Sequence, residues 1–320
     1  MYQIDYNSYR STKSFSRRVH FLIMHYTSLN FKESVMALTG ERVSAHYLVP
    51  DPSEQTYIEA GFKDMRIFNL VDENERAWHA GVSSWAGRNN INDTSIGIEI
   101  VNLATGHSDS VEQTYVEVAL KDARVLNLVN KDGCQLQTNV CSWAEGTHVS
   151  GTALQFETIN LTTYNNADFV FPPYNPTQID AVKELALNIL QRYPDIMPVD
   201  VVGHSDIAIG RKSDPGAAFP WKELYMAGIG AWYDDELKDH YQKKFSKGLP
   251  AKEDIWAKLK CYGYDISVAC TEIGYKNLIR AFQLHFRQEN YDGILDVETA
   301  AIIYALVDKY FPSNNSVHLY

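Results

Sequence analysis

The sequence lacks the features that mark several large classes of protein. None of its 320 residues belong to an apolar run near the ~18 residues that a membrane span requires. Four cysteines are too few and too scattered for a disulfide scaffold, and no CxxC or Cys/His cluster indicates a thiolate zinc site. With 29 basic against 40 acidic residues, the net charge of −11 argues against a nucleic-acid partner.

The cysteines and the start of the chain are compatible with more than one cellular compartment. Cys134 lies close to Cys141 in sequence, and Cys261 lies close to Cys270. Each pair is compatible with a small-loop disulfide in an oxidising compartment or with two thiols in a reducing one. Residues 1–16 are polar and contain no apolar signal segment, so the chain is either cytosolic or the trimmed form of an exported protein.

The apolar patterns that are present predict an α/β fold with a mixed central β-sheet flanked by helices. Residues 18–25 form a buried apolar run, and residues 95–101 alternate so that Ile96, Ile98 and Ile100 share one face. An amphipathic helix is predicted over 177–193, with Thr177 as its N-cap. Further elements are expected at 31–38 (helix), at 44–49, in pieces within 54–77, and at 199–203 (strands).

The length suggests about two domains, and the patterns divide the chain unevenly. A polar segment rich in Thr and Asn interrupts the larger domain at about 103–170. Three helical patterns at about 252–261, 275–287 and 296–310 predict a small three-helix domain. The predicted divisions are an N-terminal extension (1–17), the α/β domain (18–230), a linker (231–250), the helical domain (251–311) and a C-terminal tail (312–320).

Two histidines and one aspartate form the strongest candidate for a metal site. His25 and His204 each end a predicted buried strand, and such strand ends are where open α/β sheets build their sites. Asp214 follows His204 by ten residues, within an Asp-Pro-Gly sequence that is equally typical of a simple turn. Two histidines with one carboxylate are a recurrent catalytic zinc set. His20 is a poor ligand, because its odd spacing from His25 places it on the other face of the strand.

Two charged residues are candidates for acid–base chemistry near this site. Glu99 lies in the alternating strand and needs a partner, a cavity or an edge position facing water. Beside a metal it would serve as a general base. Lys212, two residues before Asp214, is either an ordinary solvated lysine or a cation near a developing oxyanion.

Six motifs occur in the order that is typical of one enzyme family. They are Met24–Thr27 (MHYT), Ser44–Val49 (SAHYLV), Ala77–Gly81 (AWHAG), Asn92–Glu99 (NDTSIGIE), Val202–Asp206 (VGHSD), and Arg211–Gly216 (RKSDPG) with Phe219–Trp221 (FPW). The chain thus resembles the type-2 N-acetylmuramoyl-L-alanine amidases, which share their fold with peptidoglycan-recognition proteins and T7-type lysozyme. Residues 252–308 resemble the C-terminal peptidoglycan-binding module of AmiD-like amidases, notably Leu278–Arg287 and Gly293–Thr299.

The resemblance assigns roles to individual residues. It implies zinc (Zn2+) as cofactor, held by His25, His204 and Asp214, with Glu99 as the catalytic glutamate and Lys212 as the lysine near the metal. It implies no metal-ligand role for His46, which we expect to be structural. It also implies that a loop containing Trp78, His79 and Ala80 borders the substrate groove.

The implied function is zinc-dependent hydrolysis of the amide between N-acetylmuramic acid and L-alanine, which releases stem peptides from peptidoglycan or muropeptides. One alternative is a peptidoglycan receptor without activity on the same fold, and another is a cytosolic anhydro-muropeptide amidase. A wall-binding module favours the periplasm, in association with the outer membrane or cell wall, and the resemblance allows a lipid anchor upstream of this chain. The insertion at 103–170 departs from the family pattern and leaves the shape of the groove on that side open.

Overall fold

The computed structural model describes residues 18–106, 113–120, 128–129, 135–136, 155–162 and 169–312. The predicted extension (1–17), nearly all of the tail (312–320) and much of the insertion lie outside the described residues. Cys134 and Cys141 also lie outside them, whereas Cys261 and Cys270 are present as thiols.

Among the described residues, all strands lie before residue 204, with helices between some of them, and every element after that position is helical. The strands are β1 (Phe21–Tyr26), β2 (Tyr47–Val49), β3 (Phe68–Asn69), β4 (Ser84–Trp85), β5 (Arg88–Asn89), β6 (Ser95–Ile100), β7 (Thr105–Gly106), β8 (Gln113–Leu120), β9 (Leu128–Val129), β10 (Gln135–Leu136), β11 (Gln155–Thr162), β12 (Phe169–Val170) and β13 (Val201–Gly203). The α-helices are α1 (Phe31–Leu38), α2 (Gln55–Glu59), α3 (Pro176–Arg192), α4 (His204–Ile207), α5 (Trp221–Met226), α6 (Asp235–Phe245), α7 (Lys252–Tyr262), α8 (Glu272–Phe286) and α9 (Val297–Tyr310).

The central sheet is mixed, as the sequence predicts, with the strand order β13-β1-β6-β2-β3. Four strands run parallel, and β3 pairs antiparallel with β2. In the register between β1 and β6, His25 lies beside Glu99, and in the register between β1 and β13, Met24 lies beside Gly203. His25, Glu99 and the residue after Gly203 therefore lie at one edge of the sheet, where the parallel strands end.

The middle of the sheet is buried on both faces. Every residue of β1 from Phe21 to Met24 is buried, as are the three isoleucines of β6. Helix α3 contributes an apolar stripe to the same core, formed by Ile179, Val182, Leu185, Ala186 and Ile189. Because β6 lies between β1 and β2, the reading of Glu99 as an edge-strand residue facing water is wrong.

Three local predictions differ from the structure. Residues 54–77 contain helix α2 and only one short strand. The N-cap of α3 is Asn175, whose side chain accepts a hydrogen bond from the Thr177 backbone N–H. The predicted linker contains helix α6, and its Tyr241 and Phe245 pack against Tyr304 of α9.

The three predicted C-terminal helices are present as α7, α8 and α9. Their buried residues, such as Leu259, Phe282 and Leu306, belong to the same hydrophobic cluster as the residues of the central sheet. The helical region and the sheet thus share one continuous core. Among the described helices, none combines the length and the apolar character that crossing a membrane would require.

Candidate active site

Three buried side chains converge at the edge of the sheet where β1, β6 and β13 end. His25 is in β1, His204 begins α4 directly after β13, and Asp214 lies in the following loop. The Nδ1 atoms of the two histidines are 3.0 Å apart, and Asp214 Oδ2 is 2.9 Å from His25 Nδ1 and 3.0 Å from His204 Nδ1. The structure therefore brings together the three residues that the sequence predicts as metal ligands.

This cluster fits a zinc ion. Four ligands at ~2.0–2.1 Å around a tetrahedral zinc lie roughly 3.3 Å from one another, close to the spacing observed here. When the ring protons are on Nε2, the two Nδ1 atoms and the carboxylate oxygen face one another as acceptors, an arrangement that a cation between them would stabilise. The donor set, two nitrogens and one oxygen, is also the set that catalytic zinc sites use.

The second nitrogen of each histidine is held by its own partner. His204 Nε2 lies 3.0 Å from the Ala80 carbonyl oxygen, and His25 Nε2 lies 2.9 Å from His79 Nδ1. With Nδ1 free to bind a metal, the proton of each ring is on Nε2, and each Nε2–H donates to these acceptors. Such outer hydrogen bonds fix the tautomer and orientation of metal-binding histidines.

The His79 ring continues this chain into the protein. Its Nε2 lies 3.1 Å from Ser95 Oγ, and the Ser95 hydroxyl donates to the Ile91 carbonyl oxygen at 2.7 Å. The ring packs against Gly97 so closely that a Cβ at that position would lie 2.5 Å from His79 Nδ1. The glycine in β6 thus makes room for the residue that orients His25.

Burial and neighbouring charges shift the pKa values of the cluster toward the metal-binding forms. Burial, followed by the charge of His204, lowers the pKa of His25 to about 4, so that its ring is neutral near pH 7. Burial alone would raise the pKa of Asp214, but the His204 and His25 rings beside its carboxylate, which favour its ionised form, hold the pKa well below its ordinary value. A neutral imidazole and an ionised carboxylate are the forms that bind metals.

Glu99 lies beside the cluster with one oxygen unsatisfied. Burial raises the pKa of its carboxyl group well above the ordinary value, the charge of Asp214 adds to this, and that of Lys212 opposes it. Within the described part of the chain, no group forms a hydrogen bond with the buried atom Glu99 Oε2. A buried acceptor in this state calls for a partner such as water or a substrate group. Lys212 is exposed at the rim of the same site.

The three residues expected to border the substrate groove occupy different environments. Trp78 is 59% exposed, and the Arg76 guanidinium stacks on its ring at 3.8 Å. His79 is only 7% exposed and Ala80 is buried; His79 contacts His25, and the Ala80 carbonyl oxygen contacts His204. This supporting role is one that sequence reasoning missed, because nothing in the spacing of residues 77–81 links them to His25. Their role toward substrate stays a prediction.

His46 has a structural role in this arrangement, as expected. Its Nδ1 accepts a hydrogen bond from the Gly97 backbone N–H at 3.0 Å, and its Nε2 lies 3.2 Å from the Glu75 carbonyl oxygen. Through these contacts His46 connects the loop that precedes Trp78 to the centre of β6. The ring lies outside the metal cluster.

Comparisons with known proteins find similar sequences in one group of enzymes. The model of the family Amidase_2, described as N-acetylmuramoyl-L-alanine amidase, matches residues 15–125 and 118–217. N-acetylmuramoyl-L-alanine amidase AmiD of Escherichia coli is 34% identical over 310 residues, which is 97% of this chain and 89% of AmiD. The 1,6-anhydro-N-acetylmuramyl-L-alanine amidase AmpD of Haemophilus influenzae is 27% identical over 188 residues, 59% of each chain.

Solved structures of two proteins are also similar to this chain. AmpDh3 from Pseudomonas aeruginosa, also solved in complex with anhydromuramic pentapeptide, superimposes with a TM-score of 0.75 and 49% identity, covering 97% of this chain and 99% of its own. E. coli AmiD, solved in complex with the substrate anhydro-N-acetylmuramic acid-L-Ala-D-gamma-Glu-L-Lys, superimposes with a TM-score of 0.67 and 33% identity. The match covers 97% of this chain and 95% of the AmiD chain. With its mixed sheet, its motifs and these matches, the chain belongs to the N-acetylmuramoyl-L-alanine amidase family and is an enzyme of that activity.

Proposed function

We propose that this amidase is a zinc enzyme that acts on muropeptides and peptidoglycan in the periplasm. The observation that carries the proposal is the buried His25, His204 and Asp214 cluster beside the unsatisfied Glu99 Oε2. Bound zinc would supply Lewis acidity, polarising the scissile carbonyl group and making water acidic enough to deprotonate near neutral pH.

Glu99 is the proton carrier of the reaction in this proposal. Its free oxygen accepts a proton from the attacking water, and the resulting carboxylic acid donates that proton to the leaving nitrogen of L-alanine. The scissile bond joins this nitrogen to the lactyl carbonyl group of N-acetylmuramic acid. A high pKa suits the second step, because it allows the carboxyl group to hold the proton until the C–N bond breaks.

Lys212 contributes positive charge at the rim of the site. Its charge lowers the pKa of both His25 and Glu99, which indicates that the ammonium group is near the cluster. Negative charge develops on the carbonyl oxygen as water attacks, and a nearby cation stabilises it. The glycan product and the free stem peptide then leave the site.

The alternatives of the sequence analysis are less well supported. A receptor without activity would lack part of the metal set, whereas His25, His204, Asp214 and Glu99 are all in place. A cytosolic anhydro-muropeptide amidase resembles AmpD, which matches only 59% of this chain, whereas AmiD and AmpDh3 match it through the C-terminal helices. This wider match favours an enzyme with access to the cell wall. Wall binding by the helices and a lipid anchor upstream belong to the same proposal.

Mass spectrometry of muropeptides after digestion tests the core of the proposal. We expect cleavage of the muramyl–L-alanine bond to release free stem peptides, to stop after treatment with a chelator and to return with zinc. Activity unaffected by thorough chelation would contradict the zinc assignment. Parallel digestion of intact sacculi and of 1,6-anhydro-muropeptides separates the two amidase readings, since an enzyme of the recycling type would accept only the second substrate.

A further inference from the structure

We propose that the C-terminal helices form part of the metal centre by positioning the segment that carries His204, through a buried hydrogen-bond network centred on Asp206. The inference rests on the zinc site proposed above. It gives the helical region a role in the catalytic site that is separate from any binding of the cell wall.

Asp206 lies two residues after His204, in the short helix α4, and it is fully buried. Its Oδ2 accepts a hydrogen bond from the Gly203 backbone N–H at 2.7 Å and lies 2.8 Å from His285 Nδ1. Its Oδ1 accepts from the Tyr264 hydroxyl at 2.6 Å. Both oxygens of the carboxylate are therefore engaged.

Two of these partners come from the helical region. Tyr264 follows α7 and His285 lies in α8, and each side chain is only 2% exposed. The His285 ring also stacks on Trp221 of α5, with ring centroids 3.8 Å apart. The carboxylate of Asp206 thus joins α7 and α8 to the first turn of α4.

The first turn of α4 also contacts the segment that carries Asp214. The Ser205 backbone N–H donates to the Asp214 carbonyl oxygen at 2.9 Å. Gly203 packs so tightly that a Cβ there would lie 2.7 Å from Pro215 Cδ. A shift of α4 would therefore move His204 and disturb Asp214, while His25 stays fixed in the sheet.

The helical region holds the Asp214 loop through a second contact. Gln288, just after α8, donates from Nε2 to the Ala217 carbonyl oxygen at 2.9 Å and also to the Phe219 carbonyl oxygen. The segments that carry His204 and Asp214 therefore both rest on α8 and its C-terminal end. If the helices only packed against this region, apolar contacts would be enough. The buried carboxylate of Asp206 is instead costly unless directed hydrogen bonds satisfy it, so its partners fix its position.

Removing one hydroxyl group in the full-length protein tests the inference. Tyr264→Phe deletes the bond to Asp206 and leaves the ring in place. The matched control is Tyr241→Phe, which deletes a Tyr–Asp bond between α6 and Asp308 of α9, away from the metal site. Zinc affinity is measured by competition with a chromophoric chelator, and thermal unfolding is followed on the metal-free proteins.

We expect Tyr264→Phe to weaken zinc binding by about 10-fold, because loss of a supporting hydrogen bond typically costs 10–100-fold in metal affinity. Tyr241→Phe should bind zinc like the unmodified protein even if it melts earlier. Asp206→Asn replaces one accepting oxygen with an NH2 group, which would face the Gly203 N–H as donor against donor. This variant should show a larger loss of zinc affinity than Tyr264→Phe.

The outcomes separate this inference from the proposed function. If the unmodified protein binds zinc and both Tyr264→Phe and Asp206→Asn bind it equally well, the positioning role is overturned and the zinc site stands. A lower melting temperature with unchanged zinc affinity would likewise reduce the network to ordinary packing. An unmodified protein that binds no zinc would overturn the metal site and this inference with it.

Discussion

At the residue scale, the candidate site consists of a few buried side chains whose protonation is set by burial and by their neighbours. His25 is kept neutral and Asp214 ionised, so both are ready to bind a cation. Glu99 shows the opposite behaviour, since its pKa is raised and one oxygen lacks a partner among the described residues. A bound dication would lower the pKa of Glu99, because it brings positive charge next to the carboxylate.

Glu99→Gln should abolish most of the activity while leaving the metal bound. Glutamine keeps the shape of the side chain but cannot carry the proton, and general acid–base catalysis contributes ~10²–10⁴-fold to rate. The two measurements are kcat on a purified muropeptide and the zinc content per chain. Zinc content at the level of the unmodified protein, together with full activity, would remove Glu99 from the mechanism.

Lys212→Ala should lower kcat by ~10²–10³-fold with little change in KM, because loss of one group that stabilises an oxyanion has this cost. Lys260→Ala is a suitable control, since Lys260 is an exposed lysine of α7. Steady-state kinetics on the same muropeptide compares the two variants. Equal rates for Lys212→Ala and the control would mean that Lys212 is an ordinary solvated lysine.

At the element scale, strand β6 serves the site with two successive inward positions. Glu99 supplies the carboxyl group, and Gly97 supplies the space that the His79 ring occupies. The His79 ring then holds His25 of the neighbouring strand β1 through a contact of 2.9 Å. Alternation along one strand thereby sets the positions of two different parts of the active site.

Gly97→Ala should therefore displace His79 and weaken zinc binding by about 10-fold, the lower end of what lost support for a metal ligand costs. The added methyl group would lie 2.5 Å from the His79 ring, so the ring or the strand must move. Gly87→Ala is the control, because a methyl group there meets nothing within 4 Å and acts only through a positive φ of 74°. Chelator competition should separate the two variants. Identical zinc affinity for both would show that the His79 contact does not support His25.

At the scale of the whole molecule, buried neutral histidines link stability to pH. Burial lowers the pKa of His25 and that of His46 from 6.5 to about 4. Between these values the unfolded chain binds protons that the folded chain does not, so the free energy of unfolding falls as pH drops from about 6.5 to about 4. Each group contributes up to about 1.4 kcal/mol per pH unit over that window. Urea denaturation of the metal-free protein at several pH values measures this slope.

His46→Gln provides the internal check on the pH dependence. Glutamine lacks the titration but can still accept a hydrogen bond from the Gly97 N–H. We expect the variant to be less stable at pH 7 but to lose less stability on acidification than the unmodified protein. Parallel curves for the two proteins would show that His46 is not a source of the pH dependence.

Most of the secondary structure could be predicted because its signals are local. The limits of α1 and the positions of α7, α8 and α9 follow from apolar periodicity and from residues that end helices. Helix α6 could not be predicted, since its sequence is charged and its stability comes from aromatic contacts with α9. Asn175 rather than Thr177 caps α3, because the proline at 176 already occupies the first helical position.

The sequence by itself determined which residues are candidates for the chemistry. His25, Glu99, His204 and Asp214 could be chosen from strand ends, alternation and spacing, because these patterns depend only on neighbouring residues. The tertiary structure alone decided how they meet. His25 and His204 are 179 positions apart, and only the strand order β13-β1-β6 brings their rings within 3.0 Å. The support from His79, and from Asp206 with the C-terminal helices, arises from the same long-range packing, which no local pattern encodes.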